Sequence, residues 1–342
     1  MRIGIIGCGG MGTTHSLSLK ALSSQYEIEV VALADCRNEF LEKASKIWPN
    51  AKKYEFGMNL IKEEKLDLVH ICLPSYLHAE HAVAAMEMGM HVFVEKPVCL
   101  TEDECKMLLD TKNKTGVNVM VGQVVRCFPE YQYLKQIYDE KQFGNLKSIV
   151  LQRLSGDATW GFENWYHDEE KSGSVILDLH IHDLDFLRYM AGEPETFHVV
   201  AARASSGTIN QVIAQYQFKG FFATAEALWD VSTTLAFEAS FRAVFEEATI
   251  IFNSRRKPSL TVYQKNGKIL NPQFPLLKEF ETSTFSAGIN ISDLGPYYAE
   301  IKYFIECLIE GNRNMIAPLE EGVKSVQLAM EEFNEAKKYL EN

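Results

Sequence analysis

The sequence predicts an α/β protein in which a doubly wound parallel sheet is followed by an α+β part with antiparallel strands. Short apolar β runs alternate with helical runs of about 10–15 residues in the first third of the chain, which is typical of right-handed βαβ units. Beyond residue 196, β runs follow one another with only short turns between them, which favours antiparallel pairing. The length of 342 residues is sufficient for two domains.

The composition disfavours several classes of protein. Lys and Arg together number 34, against 46 Asp and Glu, which gives a formal net charge of −12. Binding to nucleic acid or to an anionic membrane surface needs clustered Lys and Arg, so we expect neither partner. No apolar run approaches the ~18 residues that span a bilayer. The seven cysteines form no CxxC pair and the first residues lack the features of a signal peptide, so the cytoplasm is the expected location.

The alternating pattern places the parallel sheet at the start of the chain. Thr101 and Glu104 form a T-x-x-E capping box at the start of one helix, and Gly89 follows another helix as its C′ residue. The pattern changes after about residue 122, so we predict one domain over 1–122 and a second over 123–342, with the C-terminal helices able to pack back on the first. The predicted strands are 2–6, 29–34, 68–73, 91–94 and 118–122, and the predicted helices are 11–23, 38–48, 77–88 and 101–115.

The second part begins with mixed elements and continues with β runs. A polar, aromatic loop at 155–172 precedes a helix predicted at 175–190. Residues 254–295 show no clear periodicity, and we expect a loop with short strands there. The other predicted helices are 130–140, 297–310 and 319–340, and the predicted strands are 145–154, 196–204, 211–218, 221–229, 235–245, 248–252 and 260–264.

The first chemical motif is a G-x-G-x-x-G that directly follows a strand and opens a helix. One glycine permits a tight turn, the next lets a pyrophosphate approach the backbone, and the third allows close packing of helix and strand. The helix N-terminus adds amide donors and positive potential. The alternative is a glycine-rich turn without a ligand, but the strand–turn–helix context favours dinucleotide binding. The predicted coenzyme-binding residues of this motif are Gly7, Gly9, Gly10, Met11 and Gly12.

Asp35 bears on the choice between NAD and NADP. It ends the second predicted strand 23 residues after Gly12, where an acidic residue binds the ribose hydroxyls of the adenosine. Its carboxylate would repel the 2′-phosphate of NADP, whereas Arg37 could pair with that phosphate. We therefore predict NAD as the cofactor, with NADP as the less favoured alternative.

Glu95, Lys96 and Pro97 directly follow the strand predicted at 91–94. The carboxyl ends of the strands in a doubly wound sheet border the ligand crevice, so Lys96 is expected near the nicotinamide. Pro97 would stiffen the turn that presents it. The alternative is a solvated Glu–Lys pair at the end of a strand.

Asp178 and His182 lie on the helix predicted at 175–190. Their i,i+4 spacing puts both on one helical face, where a carboxylate can orient an imidazole for general acid–base catalysis. The alternative is a surface pair. Because this helix is mostly apolar, polar groups buried on it would need partners.

The other polar residues of this helix are not expected to take part. His180 should face elsewhere, about 200° around the helix from Asp178. A zinc site built from His180, His182 and an acid is disfavoured because i,i+2 spacing on a helix converges poorly, so no metal is expected. Asp183 and Asp185 are expected to be surface charges.

Together these motifs resemble the glucose–fructose oxidoreductase / inositol dehydrogenase / MocA (Gfo/Idh/MocA) family. The resemblance rests on MRIGIIGCGGMG, Asp35, ICLPSYLHAEHAVAAMEMGMHVFVEKPV and GSVILDLHIHDLDFLRYMAGEP, and covers about the first 200 residues by motif. It implies an N-terminal Rossmann domain and a C-terminal α+β domain with a large, mostly antiparallel open sheet. It also implies a homodimer or homotetramer that forms through this sheet.

The resemblance also assigns roles to individual residues. Lys96 matches the lysine of the family's EKP motif, and Asp178 and His182 match its catalytic acid and histidine. Some positions depart from the family pattern, since His180 stands where a small residue is common and Tyr166 stands where Arg often occurs. Further residues assigned to the coenzyme are Leu73, Pro74, His78, Glu95, Lys96 and Arg37, and the substrate candidates are Arg126, Trp165 and Tyr166.

The expected activity is reversible NAD-dependent oxidation of a secondary hydroxyl in a sugar, cyclitol or related polyol. His182 would take the hydroxyl proton as general base, and Lys96 would stabilise the developing alkoxide. Asp178 would orient His182 or share in binding the reacting hydroxyl. The reaction centre would then lie between the two domains. Two alternatives remain on the same fold, namely an NAD-dependent glycosidase that uses transient oxidation and a non-catalytic NAD-sensing regulator. A fold does not fix a substrate, so the specific sugar stays open.

Overall fold

The computed structural model describes residues 1–274, 295–311 and 315–341. Contacts among these residues divide the chain into two compact units. Unit 1 comprises Met1–Val124 and the described residues between 295 and 324. Unit 2 comprises residues 125–274 and 325–341.

Unit 1 is built on a six-stranded parallel sheet. Its strands are β1 (Arg2–Ile6), β2 (Glu29–Ala34), β3 (Lys52–Tyr54), β4 (Leu68–Ile71), β5 (His91–Glu95) and β6 (Val119–Gly122). The strand order is β3-β2-β1-β4-β5-β6, and the central strands are apolar and buried, as a parallel sheet covered by helices requires. The order reverses between β1 and β4, and ligands of open α/β sheets bind at the carboxyl ends of the strands at such a point.

Helices connect the successive strands of unit 1. They are α1 (Gly10–Leu22), α2 (Asn38–Ile47), α3 (Gly57–Glu63), α4 (His78–Glu87) and α5 (Glu102–Thr115). The capping box predicted for α5 is confirmed, since the Glu104 N–H donates to Thr101 Oγ1 at 3.2 Å and the Thr101 N–H donates to the Glu104 carboxylate at 3.0 Å. Gly116 ends this helix in the left-handed region, with φ 70°.

Unit 2 is built on an eight-stranded sheet. Its strands are β7 (Leu146–Gly156), β8 (Thr196–Arg203), β9 (Ile209–Phe218), β10 (Phe221–Asp230), β11 (Glu238–Phe245), β12 (Ala248–Asn253), β13 (Leu260–Gln264) and β14 (Ile269–Leu270). The order is β14-β13-β12-β11-β7-β10-β9-β8, and neighbouring strands run antiparallel except β7 and β10. Buried residues alternate with more exposed ones along β10, so one face of the sheet packs inward and the other faces outward. The predicted fold class is confirmed.

The helices of the remaining chain are assigned to both units. They are α6 (Pro129–Glu140), α7 (Glu169–Ser172), α8 (Ile181–Ala191), α9 (Gly295–Glu310) and α10 (Leu319–Glu341). In unit 1, Ile301 and Phe304 of α9 belong to the same buried core as Ile3 and Leu19. Residues of α10 from Ser325 onward belong to unit 2. Among the described helices, none combines the length and the apolar character that crossing a membrane requires.

Some elements differ from the sequence prediction. The helix predicted at 175–190 is not continuous, because a π-helical turn over Ile176–His180 precedes α8. The strand β3 and the helix α3 were not predicted, since the short strand carries no apolar pattern. The prediction of a loop with short strands over 254–295 falls partly on 275–294, which lie outside the described residues.

The prediction that Asp183 and Asp185 are surface charges is wrong. Both are buried, at 0% and 1% exposure. Asp183 pairs with Arg153 of β7 and Asp185 pairs with Arg126, at nitrogen–oxygen distances of 2.8 and 2.7 Å. A buried carboxylate needs a cation or several hydrogen-bond donors. These partners lie 30 and 59 positions away in the sequence, so the local helical pattern could not reveal them.

Candidate active site

The glycine turn between β1 and α1 has no room for a side chain at two of its positions. Gly7 adopts φ 87°, and a Cβ on it would lie 2.4 Å from a backbone oxygen of the neighbouring segment. A Cβ on Gly12 would lie 1.8 Å from the Gly7 carbonyl oxygen. Gly9 precedes α1 with extended backbone, and Gly10 and Met11 begin the helix. The backbone amides at the start of α1 therefore lie at the end of β1, an arrangement that fits the pyrophosphate of a dinucleotide.

Asp35 lies beside this turn, directly after β2. Its Oδ2 accepts a hydrogen bond from the Cys8 N–H and its Oδ1 accepts one from the Arg37 N–H, both at 2.8 Å. The Arg37 guanidinium lies over the Phe40 ring, 4.0 Å from the ring centroid. Burial and the Asp35 carboxylate raise the pKa of the Cys8 thiol to about 12, so this thiol stays neutral. A carboxylate has about four acceptor sites, so Asp35 keeps capacity for a ribose hydroxyl, and that contact stays a prediction.

His78, the first residue of α4, connects the segments that follow β4 and β5. Its Nδ1 lies 2.7 Å from the Pro97 carbonyl oxygen and its Nε2 lies 2.7 Å from the Leu73 carbonyl oxygen. An imidazolium donates to both oxygens, whereas a neutral ring donates to one. Burial lowers the pKa of His78, against the two carbonyls, which raise it. The imidazole therefore joins the segment at Leu73 to the turn that carries Lys96.

The Glu95 carboxylate is buried, at 6% exposure, whereas Lys96 is partly exposed. The alternative of a solvated Glu–Lys pair therefore does not hold for Glu95. Its Oε1 lies 2.9 Å from His15 Nε2, and His15 Nδ1 lies 2.9 Å from His70 Nδ1. Both histidines are fully buried, and burial together with the neighbouring His15 holds the pKa of His70 well below its usual value. When His15 donates to Glu95 through Nε2, its Nδ1 is an acceptor and His70 donates to it.

Sequence reasoning missed this network of His15, His70 and Glu95. The signal was present, because His70 interrupts the apolar run of β4, and a polar side chain in a strand of a covered parallel sheet needs a buried partner. The sequence did not show which residue that partner is.

In unit 2, Asp178 and His182 lie on a segment that is otherwise buried. From Ser172 to Arg188, every residue is buried except these two, which are partly exposed. Asp178 lies in the π turn, and His182 is the second residue of α8. A carboxylate and an imidazole four positions apart are therefore the side chains of this stretch that reach the surface. Such a pair can perform general acid–base chemistry.

His180 is fully buried. Its Nε2 lies 2.9 Å from the Tyr216 hydroxyl. Over the described parts of the chain, no group of three or more His, Cys, Asp and Glu is arranged to hold a metal ion.

The substrate candidates have different surroundings. The rings of Trp165 and Tyr166 stack with their centroids 3.9 Å apart, in a 3₁₀ segment of the aromatic loop. Arg126 is 2% exposed, and its guanidinium donates two hydrogen bonds of 2.7 Å to the Asp185 carboxylate. This ion pair accounts for the burial of Arg126. Substrate contacts by these three residues stay predictions.

Two models of one family match the chain. Residues 1–123 match a model described as an oxidoreductase family with an NAD-binding Rossmann fold. Residues 131–268 match the GFO/IDH/MocA C-terminal domain. The prediction of NAD as cofactor is confirmed by the first match, and the predicted family by both.

Similar proteins include two inositol dehydrogenases and levoglucosan dehydrogenase. Myo-inositol 2-dehydrogenase of Thermotoga maritima is 30% identical over 193 residues, which cover 56% of this chain and 55% of that protein, so the chain spans about half of its length. The scyllo-inositol 2-dehydrogenase (NAD(+)) of Bacillus subtilis is 24% identical over 330 residues, which cover 94% of this chain and 90% of that protein. The structure of levoglucosan dehydrogenase in complex with NADH and levoglucosan has the same fold, with a TM-score of 0.83 and 20% identity over 99% of this chain and 98% of that one. The chain belongs to the GFO/IDH/MocA family of oxidoreductases.

Proposed function

We propose that this protein is an NAD-dependent dehydrogenase that acts reversibly on a secondary hydroxyl of a sugar, cyclitol or related polyol. The family and the two inositol dehydrogenases among its relatives support this substrate class. The observation that carries the proposal is the paired exposure of Asp178 and His182 on an otherwise buried stretch. In unit 1, the glycine turn and Asp35 fit a dinucleotide.

The proposed chemistry divides between three side chains. His182 takes the hydroxyl proton as general base, and Asp178 orients His182 or shares in binding the hydroxyl. Lys96 donates a hydrogen bond to the same oxygen and stabilises the negative charge that develops there. Bound NAD would supply the acceptor for the hydride of the carbinol carbon. The alcohol thus loses a hydride from carbon and a proton from oxygen, and a ketone is the product.

The stacked rings of Trp165 and Tyr166 support a sugar or cyclitol as substrate. An aromatic face can pack against the C–H face of such a ring, while the hydroxyls take hydrogen bonds elsewhere. Contacts by Arg126 are a weaker part of the proposal because its guanidinium is already paired with Asp185.

The proposal includes a cytoplasmic homodimer or homotetramer that forms through the sheet of unit 2. Pairing across the strands aligns Phe222 with Ser148, Val244, Thr249 and Tyr263 in one row. Two large side chains in this row are exposed, Phe222 at 55% and Tyr263 at 45%. A second copy of the chain would cover this outward face.

The test is an NADH-absorbance screen with a panel of sugars, cyclitols and polyols, with NAD and NADP as coenzymes. We expect NADH to accumulate in equal amount to a ketone product, which separates a dehydrogenase from chemistry that recycles its coenzyme. His182→Ala and Lys96→Ala should each lower kcat by about 10²–10⁴-fold, the usual contribution of general acid–base catalysis. Both variants should still bind NADH.

A matched control is His198→Ala in the same unit. The His198 side chain is 65% exposed and pairs with Glu335, so this variant removes an imidazole without touching the proposed site. It should keep full turnover. Near-normal turnover in both His182→Ala and Lys96→Ala would rule out the proposed mechanism.

A further inference from the structure

His180 belongs to a buried polar cluster that joins three elements of unit 2. It is the last residue of the π turn Ile176–His180. Its Nε2 lies 2.9 Å from the Tyr216 hydroxyl of β9 and 2.9 Å from Glu332 Oε2 of α10. The Tyr216 hydroxyl donates to Glu332 Oε1 at 2.6 Å. These three residues form the His180 cluster, and each is at most 2% exposed.

The hydrogen bonds of the cluster run from His180 through Tyr216 to Glu332. A buried carboxylate without donors is costly, and here the Tyr216 hydroxyl donates to Glu332 Oε1 and itself accepts from His180 Nε2. The imidazole also lies beside Glu332 Oε2, at 2.9 Å. Burial and the Glu332 carboxylate hold the pKa of Tyr216 well above its usual value, so the phenol keeps the proton that it donates. Within the described chain, His180 Nδ1 has no hydrogen-bond partner, so the ring donates through Nε2.

The π turn needs such support. The Ile181 N–H donates to the Ile176 carbonyl oxygen five positions back, one residue more than in an α-helix. A turn of this kind is rare, and it often occurs at functional sites where the surroundings hold it. Removal of the extra residue from the turn would rotate the side chains before it by about 100° relative to those after it.

The two exposed residues of the segment lie on either side of this point. Asp178 precedes His180 by two positions, and His182 follows it by two. The direction in which Asp178 points relative to His182 therefore depends on whether the π turn is kept. Of the side chains in the turn, His180 makes the buried polar contacts to β9 and α10.

We infer that His180 is a positioning residue, whose contacts with Tyr216 and Glu332 keep the π turn and so set the relative directions of Asp178 and His182. It touches neither substrate nor coenzyme. The inference rests on the proposed function of Asp178 and His182, and it adds a residue that acts through them.

Two substitutions at one position separate positioning from mere stability. His180→Leu keeps the apolar volume but removes the donor to the Tyr216 hydroxyl and the imidazole beside Glu332. His180→Gln places an amide N–H near the original Nε2 and can restore that donor. We expect His180→Leu to lower kcat by up to about 10²-fold, the cost of misplacing a catalytic group, with unchanged NADH binding. His180→Gln should regain most of the lost turnover.

A second measurement needs no substrate. Amide hydrogen exchange over 176–182 should be faster in His180→Leu and return toward the original rate in His180→Gln, because the π turn opens more readily without its donor. His198→Leu is the control, since it removes an exposed histidine that pairs with Glu335 of the same helix α10. It should change neither kcat nor exchange in this segment. If His180→Leu does not fold, His180→Leu/Glu332→Leu also removes the buried carboxylate that lay beside the imidazole and should fold, with the same loss of kcat and the same faster exchange.

The outcomes separate the two proposals. If His182→Ala is inactive but His180→Leu has the turnover and the exchange rate of the unmodified protein, the role of His180 alone is overturned. Active His182→Ala would overturn the proposed function, and exchange over 176–182 would still show whether His180 holds the turn. A lower melting temperature of His180→Leu with unchanged kcat and exchange would show a structural residue and also overturn the inference.

Discussion

At the scale of single residues, Asp35 shows how a carboxylate can be held by the backbone and still be available to a ligand. The N–H groups of Cys8 and Arg37 each donate to a different oxygen of Asp35, so the side chain is fixed at the glycine turn. The Arg37 guanidinium packs on the Phe40 ring instead of extending alone into solvent. A fixed carboxylate at this position fits recognition of a ribose hydroxyl more than recognition of a 2′-phosphate.

We expect Asp35→Ser to weaken NADH binding by about 10–100-fold, the equivalent of losing one hydrogen bond to a charged group. NADPH binding should be unchanged or tighter because the negative charge that repels its phosphate is gone. Fluorescence titration with both coenzymes measures the two dissociation constants without a substrate. Glu39→Gln, an exposed acid on the neighbouring α2, is the control. An unchanged ratio of the two constants in Asp35→Ser would contradict the assignment of NAD preference to Asp35.

The sequence names candidate residues more readily than the partners of those residues. Asp35, Lys96, Asp178 and His182 could be named because each stands at a fixed distance from a recognisable local pattern. The burial of Asp183 could not be predicted, because Arg153, which compensates its charge, comes from a strand 30 positions earlier. Long-range pairing of charges leaves no trace in the local periodicity.

At the scale of elements, the lack of a local signal also explains why the sequence does not predict the π turn. The run VILDLHIHDLDFLRYM has the period of an ordinary helix, and nothing in it marks an extra residue. The contacts that hold the turn come from Tyr216 and Glu332, at sequence distances that no helical pattern covers. The capping box of α5, by contrast, is complete within four residues and was predicted correctly.

The contact between His15 of α1 and Glu95 of β5 gives a prediction about stability. We expect His15→Leu to lower the free energy of unfolding by about 3–5 kcal/mol, because it leaves the Glu95 carboxylate buried without its donor. The double variant His15→Leu/Glu95→Leu should recover part of this loss, since it removes the unpaired charge. Urea unfolding of the single and double variants completes the thermodynamic cycle. A double variant less stable than His15→Leu would show that Glu95 has sufficient other donors.

At the scale of the whole molecule, local pattern predicts the class of each sheet but not the full strand order. Short turns explain why β8, β9 and β10 are neighbours, and likewise β11 to β14. Strand β7 lies between these two groups and pairs with β10 and β11, far along the chain. That placement depends on packing across the sheet, which the sequence pattern does not contain.

The three histidines His70, His78 and His81 give unit 1 a common response to acid. Each is buried, and for each burial is the main cause of a pKa below the ordinary histidine value of 6.5. In the unfolded chain these imidazoles return to that ordinary value. The folded protein therefore binds fewer protons than the unfolded chain just below pH 6.5.

We expect the free energy of unfolding to fall as the pH is lowered from about 7 to about 5, by at most about 1.4 kcal/mol per pH unit for each such histidine. The sign follows because each pKa is lower in the folded protein than in the unfolded chain. The stabilisation is therefore complete above the pKa of the unfolded chain and is lost as the pH falls toward the pKa of the folded protein. Urea unfolding at several pH values measures the slope. His81→Gln should make it shallower, since one buried imidazole no longer titrates. An equal slope for His81→Gln and the unmodified protein would show that burial of His81 does not contribute to acid sensitivity.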